Sequence, residues 1–92
     1  MPNTKQAEKR MRRDAKRRLR NRYHLSKMRT YIKKFRKMVE SSRLQEAQGF
    51  LPKVIGVIYH TAGKGVIHKK EAARRASKVT TLLNKALQKV QG

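Results

Sequence analysis

The sequence is poor in several residue types that other classes of protein require. It contains no cysteine and no tryptophan, and its only aromatic residues are two Phe and three Tyr. Without cysteine, neither a disulfide framework nor a thiolate metal site can form. The longest apolar run, Val54-Ile55 followed after one glycine by Val57-Ile58-Tyr59, is far shorter than the roughly 20 residues that cross a bilayer. We therefore expect no membrane span.

Acidic residues are also scarce, and this shortage indicates the class of partner. Five Asp and Glu stand against 26 Lys and Arg, which gives a formal net charge of +21 and a pI near 11.6. A free domain with this charge repels itself, so the excess indicates a polyanionic partner, of which nucleic acid is the commonest. A basic surface kept only for solubility would have acids interspersed among the bases.

The few groups able to perform catalysis are scattered along the chain. Five separated acids and three histidines, His24, His60 and His68, form no constellation of acid, base and nucleophile. No histidine has a second ligand at metal-binding spacing, and Gly63-Lys64-Gly65 is too short for a phosphate-binding glycine loop. We predict that the protein is not an enzyme and that it uses no cofactor, metal or small-molecule substrate.

Glycine and proline are absent between Asn3 and Gly49, so one helix can run from about residue 4 to about residue 41. Its second half carries an apolar stripe at helical spacing, formed by Met28, Ile32, Phe35 and Val39. In its first half the apolar residues drift around the helix because they are spaced by four: Ala7, Met11, Ala15 and Leu19. We predict that residues 4–22 form an exposed basic arm.

Two further helices follow. Ser42 and Gln45 have the spacing of a capping box, which predicts that the second helix begins there, and Pro52 should kink it. This helix ends in the turn Gly63-Lys64-Gly65, and the third begins at about His68 or Lys69. Each has one apolar face, made in the second helix by Leu44, Ala47, Leu51, Val54, Ile58 and Ala62, and in the third by Ala72, Ala76, Val79, Leu83, Ala86 and Val90.

Short connections between three helices predict an all-α fold, an antiparallel three-helix bundle with a long, basic, extended first helix. We expect a single domain over residues 1–92, with the basic helical arm at 4–22 and the three-helix bundle at 23–90. The core is small, so the free protein should be only marginally stable, and its stability should increase when it binds its partner.

Two basic surfaces are candidates for contact with nucleic acid. The first is the arm, in which arginine outnumbers lysine and favours bidentate phosphate contacts, at Arg10, Arg12, Arg13, Lys16, Arg17, Arg18, Arg20 and Arg22. The second is the start of the third helix, where a helix N-terminus itself favours phosphate, at Lys69, Lys70, Arg74, Arg75 and Lys78 after His68.

Charge alone does not distinguish RNA from DNA. A basic helix followed by a coiled-coil seam is the design of a zipper-type DNA reader, so a basic-helix DNA-binding protein is the alternative. Here the seam lasts under two heptads before Ser41-Ser42 and has no leucine at every seventh residue. A membrane-surface helix is disfavoured because residues 5–22 contain no Trp or Phe to insert.

Several segments resemble one known family. They are Arg17-Arg18-Leu19-Arg20-Asn21 in the arm, Ile32-Lys33-Lys34-Phe35-Arg36 in the middle, and Gly63-Lys64-Gly65-Val66-Ile67-His68-Lys69-Lys70 running into Ala72-Ala73-Arg74-Arg75-Ala76-Ser77-Lys78. In this order they resemble the bacterial-type small-subunit ribosomal protein S-twenty family over nearly the whole chain. The segment Gly-Val-Ile-His-Lys is the most specific of them. The stretches Gln48-Gly49-Phe50-Leu51-Pro52 and Tyr59-His60-Thr61 depart from the family's pattern.

The resemblance implies a structural constituent of the small ribosomal subunit that binds 16S ribosomal RNA directly and helps to order it during assembly. It implies contacts with the 5′ domain and the long 3′ minor-domain helix of that RNA, and a cytoplasmic location in the ribosome of a bacterium or of an organelle of bacterial descent. No homo-oligomer is expected. Besides the arm and the third-helix start, the resemblance adds the RNA-binding candidates Asn21, Lys33, Lys34, Arg36 and His68. Lys64 in the turn before the third helix is a further candidate.

Overall fold

Three α-helices make up the protein in the computed structural model, which describes residues 4–91 apart from the side chain of residue 91. They are α1 at Thr4–Glu40, α2 at Leu44–Gly63 and α3 at Lys69–Gln91. No strand occurs within the described residues. These bounds confirm the predicted all-α fold, the long first helix and the start of the third helix.

Adjacent helices in the chain run antiparallel. His24 and Tyr31 of α1 contact His60 and Phe50 of α2 in reverse order, with ring centroids 5.8 Å and 5.6 Å apart respectively. The connections, residues 41–43 and 64–68, are short enough that each helix must turn back beside the one before it. All three pairs of helices pack against one another, so the arrangement is the predicted three-helix bundle.

The core is formed by the predicted apolar faces of the three helices. Its fully or nearly fully buried members are Met28 and Phe35 of α1, Ala47, Val54 and Ile58 of α2, and Ala72, Val79 and Leu83 of α3. Thr61 is also buried and was not predicted; its hydroxyl donates to the carbonyl of Val57 at 2.8 Å, which leaves no unsatisfied polar group there. Val90 was wrongly assigned to the core. It is 71% exposed because it lies at the end of α3, where no helix faces it fully.

The end of α1 differs from the predicted arrangement. Ser42 is the second residue beyond the end of α1 and has a positive φ of 61°, a left-handed conformation. The backbone N–H of Arg43 donates to the carbonyl of Met38 at 2.9 Å, and that of Ser42 to Val39 at 3.1 Å, the two bonds of a Schellman motif. Ser42 therefore ends α1. The predicted capping box is wrong, since the residue before α2 is Arg43, which makes no side-chain cap.

The turn between α2 and α3 repeats the same motif with a glycine. Gly65 has a φ of 76°, its N–H donates to Ala62 at 2.9 Å, and the N–H of Val66 donates to Thr61 at 3.2 Å. A left-handed residue at this position is usually glycine because a Cβ atom is unfavourable there. The predicted turn at Gly63-Lys64-Gly65 is thus confirmed.

Pro52 lies inside α2, and the helix continues through it from Leu44 to Gly63. Its nitrogen has no hydrogen, so it donates nothing to the carbonyl of Gln48 one turn earlier. The Pro52 side chain is exposed, which places the interrupted side of the helix towards solvent. The kink that the sequence predicts at Pro52 stays a prediction.

The first half of α1 extends away from the bundle. Every described side chain from Thr4 to Arg20 is exposed, including Met11 at 70% and Leu19 at 66%, so the apolar residues there form no buried stripe. The molecule measures 69 × 22 × 15 Å, and its radius of gyration of 18.3 Å exceeds the roughly 12 Å of a compact chain of this length. Charged side chains are thereby spread along an extended surface.

Candidate nucleic-acid interface

The arm patch comprises the predicted RNA-binding residues of the first half of α1: Arg10, Arg12, Arg13, Lys16, Arg17, Arg18, Arg20, Asn21 and Arg22. All of them are exposed except Asn21, which is half-buried. Their side chains project in several directions from a helix that is exposed from Thr4 to Arg20. Glu8 and Arg12 form one ion pair at 3.9 Å, and both side chains are largely exposed. A pair of this kind contributes little, so the arm patch is left almost uncompensated.

The bundle brings two other predicted segments together. Arg36 of α1 lines a shallow groove with Arg74, Arg75 and Lys78 of α3. We call this surface the α1–α3 groove; its remaining lining residues are Ile32, Glu71 and Val79. Val79 belongs to the core, and Ile32 is partly buried against it. Four cations and one carboxylate thus line this groove between α1 and α3. Lys33 and Lys34 are exposed on α1 but lie outside this lining.

The side chain of Arg75 already makes one ion pair within the protein. Its Nε donates to Oε1 of Glu71 at 3.1 Å, and about a third of each side chain is exposed. The bond holds the guanidinium plane in place while its two terminal nitrogens keep donors for a second acceptor. A preordered guanidinium loses less freedom when it binds a phosphate. The pair therefore positions Arg75, although it also lowers the net charge of the groove.

A third basic surface surrounds the connection between α2 and α3. We call it the turn patch; it comprises the exposed predicted residues Lys64, His68, Lys69 and Lys70. His68 has a structural role that the sequence did not reveal, because its Nδ1 accepts the backbone N–H of Lys70 at 3.1 Å. The imidazole is thus the N-cap of α3, with Nδ1 as the acceptor. This cap uses one of the helix N–H groups that a phosphate was expected to bind.

Sequence reasoning missed a second groove, which lies between α1 and α2. Its basic and aromatic lining consists of His24, Lys27, Tyr31, Lys53 and His60, and no carboxylate lines it; we call it the α1–α2 groove. Tyr31 stacks on Phe50 at the edge of the core. The signal was present in the sequence as two Tyr-His pairs, at residues 23–24 and 59–60. Their proximity depends on the register between two helices, which spacing along the chain does not give.

The electrostatics of this region connect it to the predicted patches. The pKa of His24 is lowered from its ordinary value of 6.5, first by desolvation and then by His60, Lys64, Arg20 and Lys27. Arg20 belongs to the arm patch and Lys64 to the turn patch. Cations of both patches therefore act on the imidazole of His24.

Other kinds of site find no support in the part of the chain that the structure describes. Among residues 4–90, no group of three or more His, Asp or Glu side chains could hold a metal ion. None of the described helices has both the length and the apolar character needed to cross a membrane. No buried side-chain nitrogen or oxygen among the described residues lacks a hydrogen-bond partner. The surface chemistry of the described residues is therefore mainly that of exposed cations.

Comparison with known proteins gives the family. A family model described as ribosomal protein S20 matches residues 2–84. The chain belongs to this family. The small ribosomal subunit protein bS20 of Aquifex aeolicus (strain VF5) is 71% identical over 91 residues, which cover 99% of this chain and 97% of that protein. The bS20 of Hydrogenobaculum sp. (strain Y04AAS1) is 54% identical over 87 residues, covering 95% of this chain and 94% of its own.

Membership of the S20 family confirms the resemblance seen in the sequence. The family is one of structural ribosomal proteins, so the chain is a structural protein and not an enzyme. The match from residue 2 to residue 84 spans the arm patch, both grooves and the turn patch. The S20 family does not by itself assign the individual RNA-binding residues, and the predicted set stays a prediction.

Proposed function

We propose that this protein is a structural constituent of the small ribosomal subunit that binds 16S ribosomal RNA directly and helps to order it during assembly. The relatives named small ribosomal subunit protein bS20 support this role. The cytoplasmic ribosome is the corresponding location. The observation that carries direct RNA binding is the α1–α3 groove, where Arg36, Arg74 and Lys78 converge from two helices with a single acid between them.

The three basic surfaces suit a folded RNA better than a straight duplex. The arm patch extends from the bundle along a molecule 69 Å long, whereas the α1–α3 groove and the turn patch lie on the bundle. Each surface supplies donors for phosphate oxygens, and such contacts fix the position of a protein on a nucleic acid without reading its sequence. Surfaces at separate places can hold two RNA segments in a fixed relation. The protein would thereby order an RNA by tying its segments together.

The test is binding of the purified chain to the isolated 16S RNA, read by chemical footprinting. An unrelated structured RNA of equal length and a duplex DNA are the comparisons, because phosphate contacts alone do not distinguish them. We expect discrete protected sites in two separate regions of 16S RNA, the 5′ domain and the 3′ minor domain, and none in the unrelated RNA. Equal binding to all three nucleic acids, without discrete protection, would contradict the proposal.

A further inference from the structure

The α1–α2 groove lies outside the surfaces that the sequence assigns to RNA, yet it carries similar chemistry. Lys27 of α1 and Lys53 of α2 line it. His24 and His60 meet across it, with ring centroids 5.8 Å apart and ring planes 62° apart. No carboxylate is among its lining residues. A cationic groove without a counter-charge of its own attracts an anion from outside.

The groups that face His24 are all neutral or positive. His60 and Lys64 face it from the end of α2, Arg20 and Lys27 from α1, and the edge of the Tyr23 ring lies 5.4 Å away. Desolvation, and after it these neighbouring groups, lower the pKa of His24 and make its protonation less favourable in the free protein. An anion seated between the two imidazoles would reverse this effect, because it attracts the same proton that the cations repel.

We propose that the α1–α2 groove binds a backbone phosphate of the RNA, with His24 protonated in the complex and His60, Lys27 and Lys53 as further donors. The inference rests on the proposed function, and it adds a phosphate site and a dependence on pH. Imidazolium and ammonium groups make charge-assisted hydrogen bonds to phosphate oxygens. Since Arg20 and Lys64 also act on His24, cations of the arm patch and the turn patch add to the positive potential of the groove.

A metal ion does not suit the same place. Two imidazoles are the only metal-binding side chains that line the groove, and no third described ligand joins them. The surrounding lysines and arginine repel a cation as strongly as they attract a phosphate. The chemistry of the groove therefore favours the anion.

Proton uptake on binding fixes the sign of the pH effect. Phosphate raises the pKa of His24 from its lowered value in the free protein, so binding is accompanied by protonation and the affinity rises as pH falls. A shift of about one pKa unit on binding corresponds to about a tenfold change in affinity. The change should occur between about pH 5 and pH 8, where histidine changes its charge.

The experiment measures binding of the full chain to 16S RNA at both ends of that pH range, for the wild type and for the double variant His24→Gln/His60→Gln. We expect the wild type to bind about tenfold more tightly at the acidic end. The double variant should lose this gain in affinity. It should still bind at the alkaline end, because its arm patch and α1–α3 groove are unchanged. Imidazole NMR titration of the wild type, free and bound, should show an upward shift for His24.

Two results overturn the inference while leaving the proposed function intact. If the affinity of the double variant rose at acidic pH as much as that of the wild type, the proton uptake would belong to the RNA or to His68. If the affinity of the wild type did not rise at acidic pH, His24 would take up no proton in the complex. If neither protein bound 16S RNA at any pH, the proposed function itself would fail, and this inference with it.

The lysines provide a second readout that does not disturb the half-buried histidine. Lys53→Gln changes an exposed side chain of the groove, and Lys85→Gln is the matched control on an exposed position of α3 outside the proposed RNA surfaces. Removing one phosphate contact lowers the slope of log affinity against log salt by about one. We expect this loss for Lys53→Gln and no change for Lys85→Gln. Equal slopes for both variants and the wild type would exclude Lys53 from the phosphate site.

Discussion

Ser42 and Gly65 occupy the same place in two copies of one motif. Each is the left-handed residue that ends a helix, with φ of 61° and 76°. The capping box predicted at Ser42 is wrong because a serine before a helix usually caps the N-terminus of that helix. Here Ser42 instead ends the preceding helix. The left-handed conformation is unfavourable for a residue with a Cβ atom. Ser42 is therefore a strained residue in the short connection between α1 and α2.

Substitution of Ser42 by glycine should stabilise the protein. Ser42→Gly removes the unfavourable Cβ, and after the greater freedom of glycine in the unfolded chain is subtracted, we expect a gain of about 0.5–1 kcal/mol in the free energy of unfolding. Thermal unfolding followed by circular dichroism measures it. The control is Gly65→Ala, where a Cβ would meet no atom within 4 Å and only the backbone conformation is penalised, so it should lose about 1 kcal/mol. Changes of equal sign in both variants would refute this assignment.

Single residues should also separate the core from the arm patch. Leu83 is 3% exposed within the core, and Leu83→Ala should cost about 2–5 kcal/mol of stability. Arg17 is exposed on a segment without tertiary contacts, so Arg17→Ala should leave the melting temperature almost unchanged while weakening RNA binding. Unfolding and RNA titration of the two variants provide the measurements. If Arg17→Ala unfolded the bundle, the arm would belong to the core.

At the scale of the element, α1 is one continuous helix whose two halves differ in their packing. From Leu25 onwards it packs on the core, whereas its side chains from Thr4 to Arg20 are exposed. Within residues 5–22, like-charged pairs at i,i+4 spacing outnumber opposite pairs by six to three. Each pair contributes about 0.2–0.5 kcal/mol, so the excess disfavours the arm helix by about 1 kcal/mol. A helix of this length is already marginal without tertiary contacts.

Hydrogen exchange should therefore show two different halves of α1. We expect the amides of residues 5–20 to exchange almost unprotected in the free protein and to become protected in the complex with RNA, whose phosphates supply the missing counter-charge. Amides of residues 28–39 should be protected in both states. Strong protection of the arm in the free monomer at low salt would contradict this and would indicate a partner surface that remains to be found.

The helices could be predicted from the sequence because each depends on local signals. Apolar spacing placed the buried face of each helix, and Gly63-Lys64-Gly65 placed the second turn. What failed depended on three-dimensional context. The sequence around Ser42 is compatible with a cap of α1 or of α2. Val90 continues the apolar spacing of α3 beyond the point where another helix covers that face. The contact of His24 with His60 requires the register of α1 against α2, which no local pattern contains.

At the scale of the whole molecule, shape and charge serve one purpose. A net charge of +21 on 92 residues is distributed over an arm and a small bundle, and the described part of the chain contains three ion pairs, none fully buried. Such a surface opposes compactness and is compensated only by a polyanion. The small core fixes the relative positions of the turn patch and the two grooves, and the arm extends the contact beyond the bundle.

The salt dependence of binding to 16S RNA tests the central claim, that affinity comes mainly from phosphate contacts of the basic surfaces. If about 6–10 cations contact phosphates, the affinity should fall about 10³–10⁵-fold between 50 and 200 mM salt. Replacing Arg74 and Lys78 together by glutamine should reduce the slope by about two while the bundle stays folded, since both side chains are exposed. A wild-type slope near zero would contradict the account, because binding would then rest on contacts other than charge.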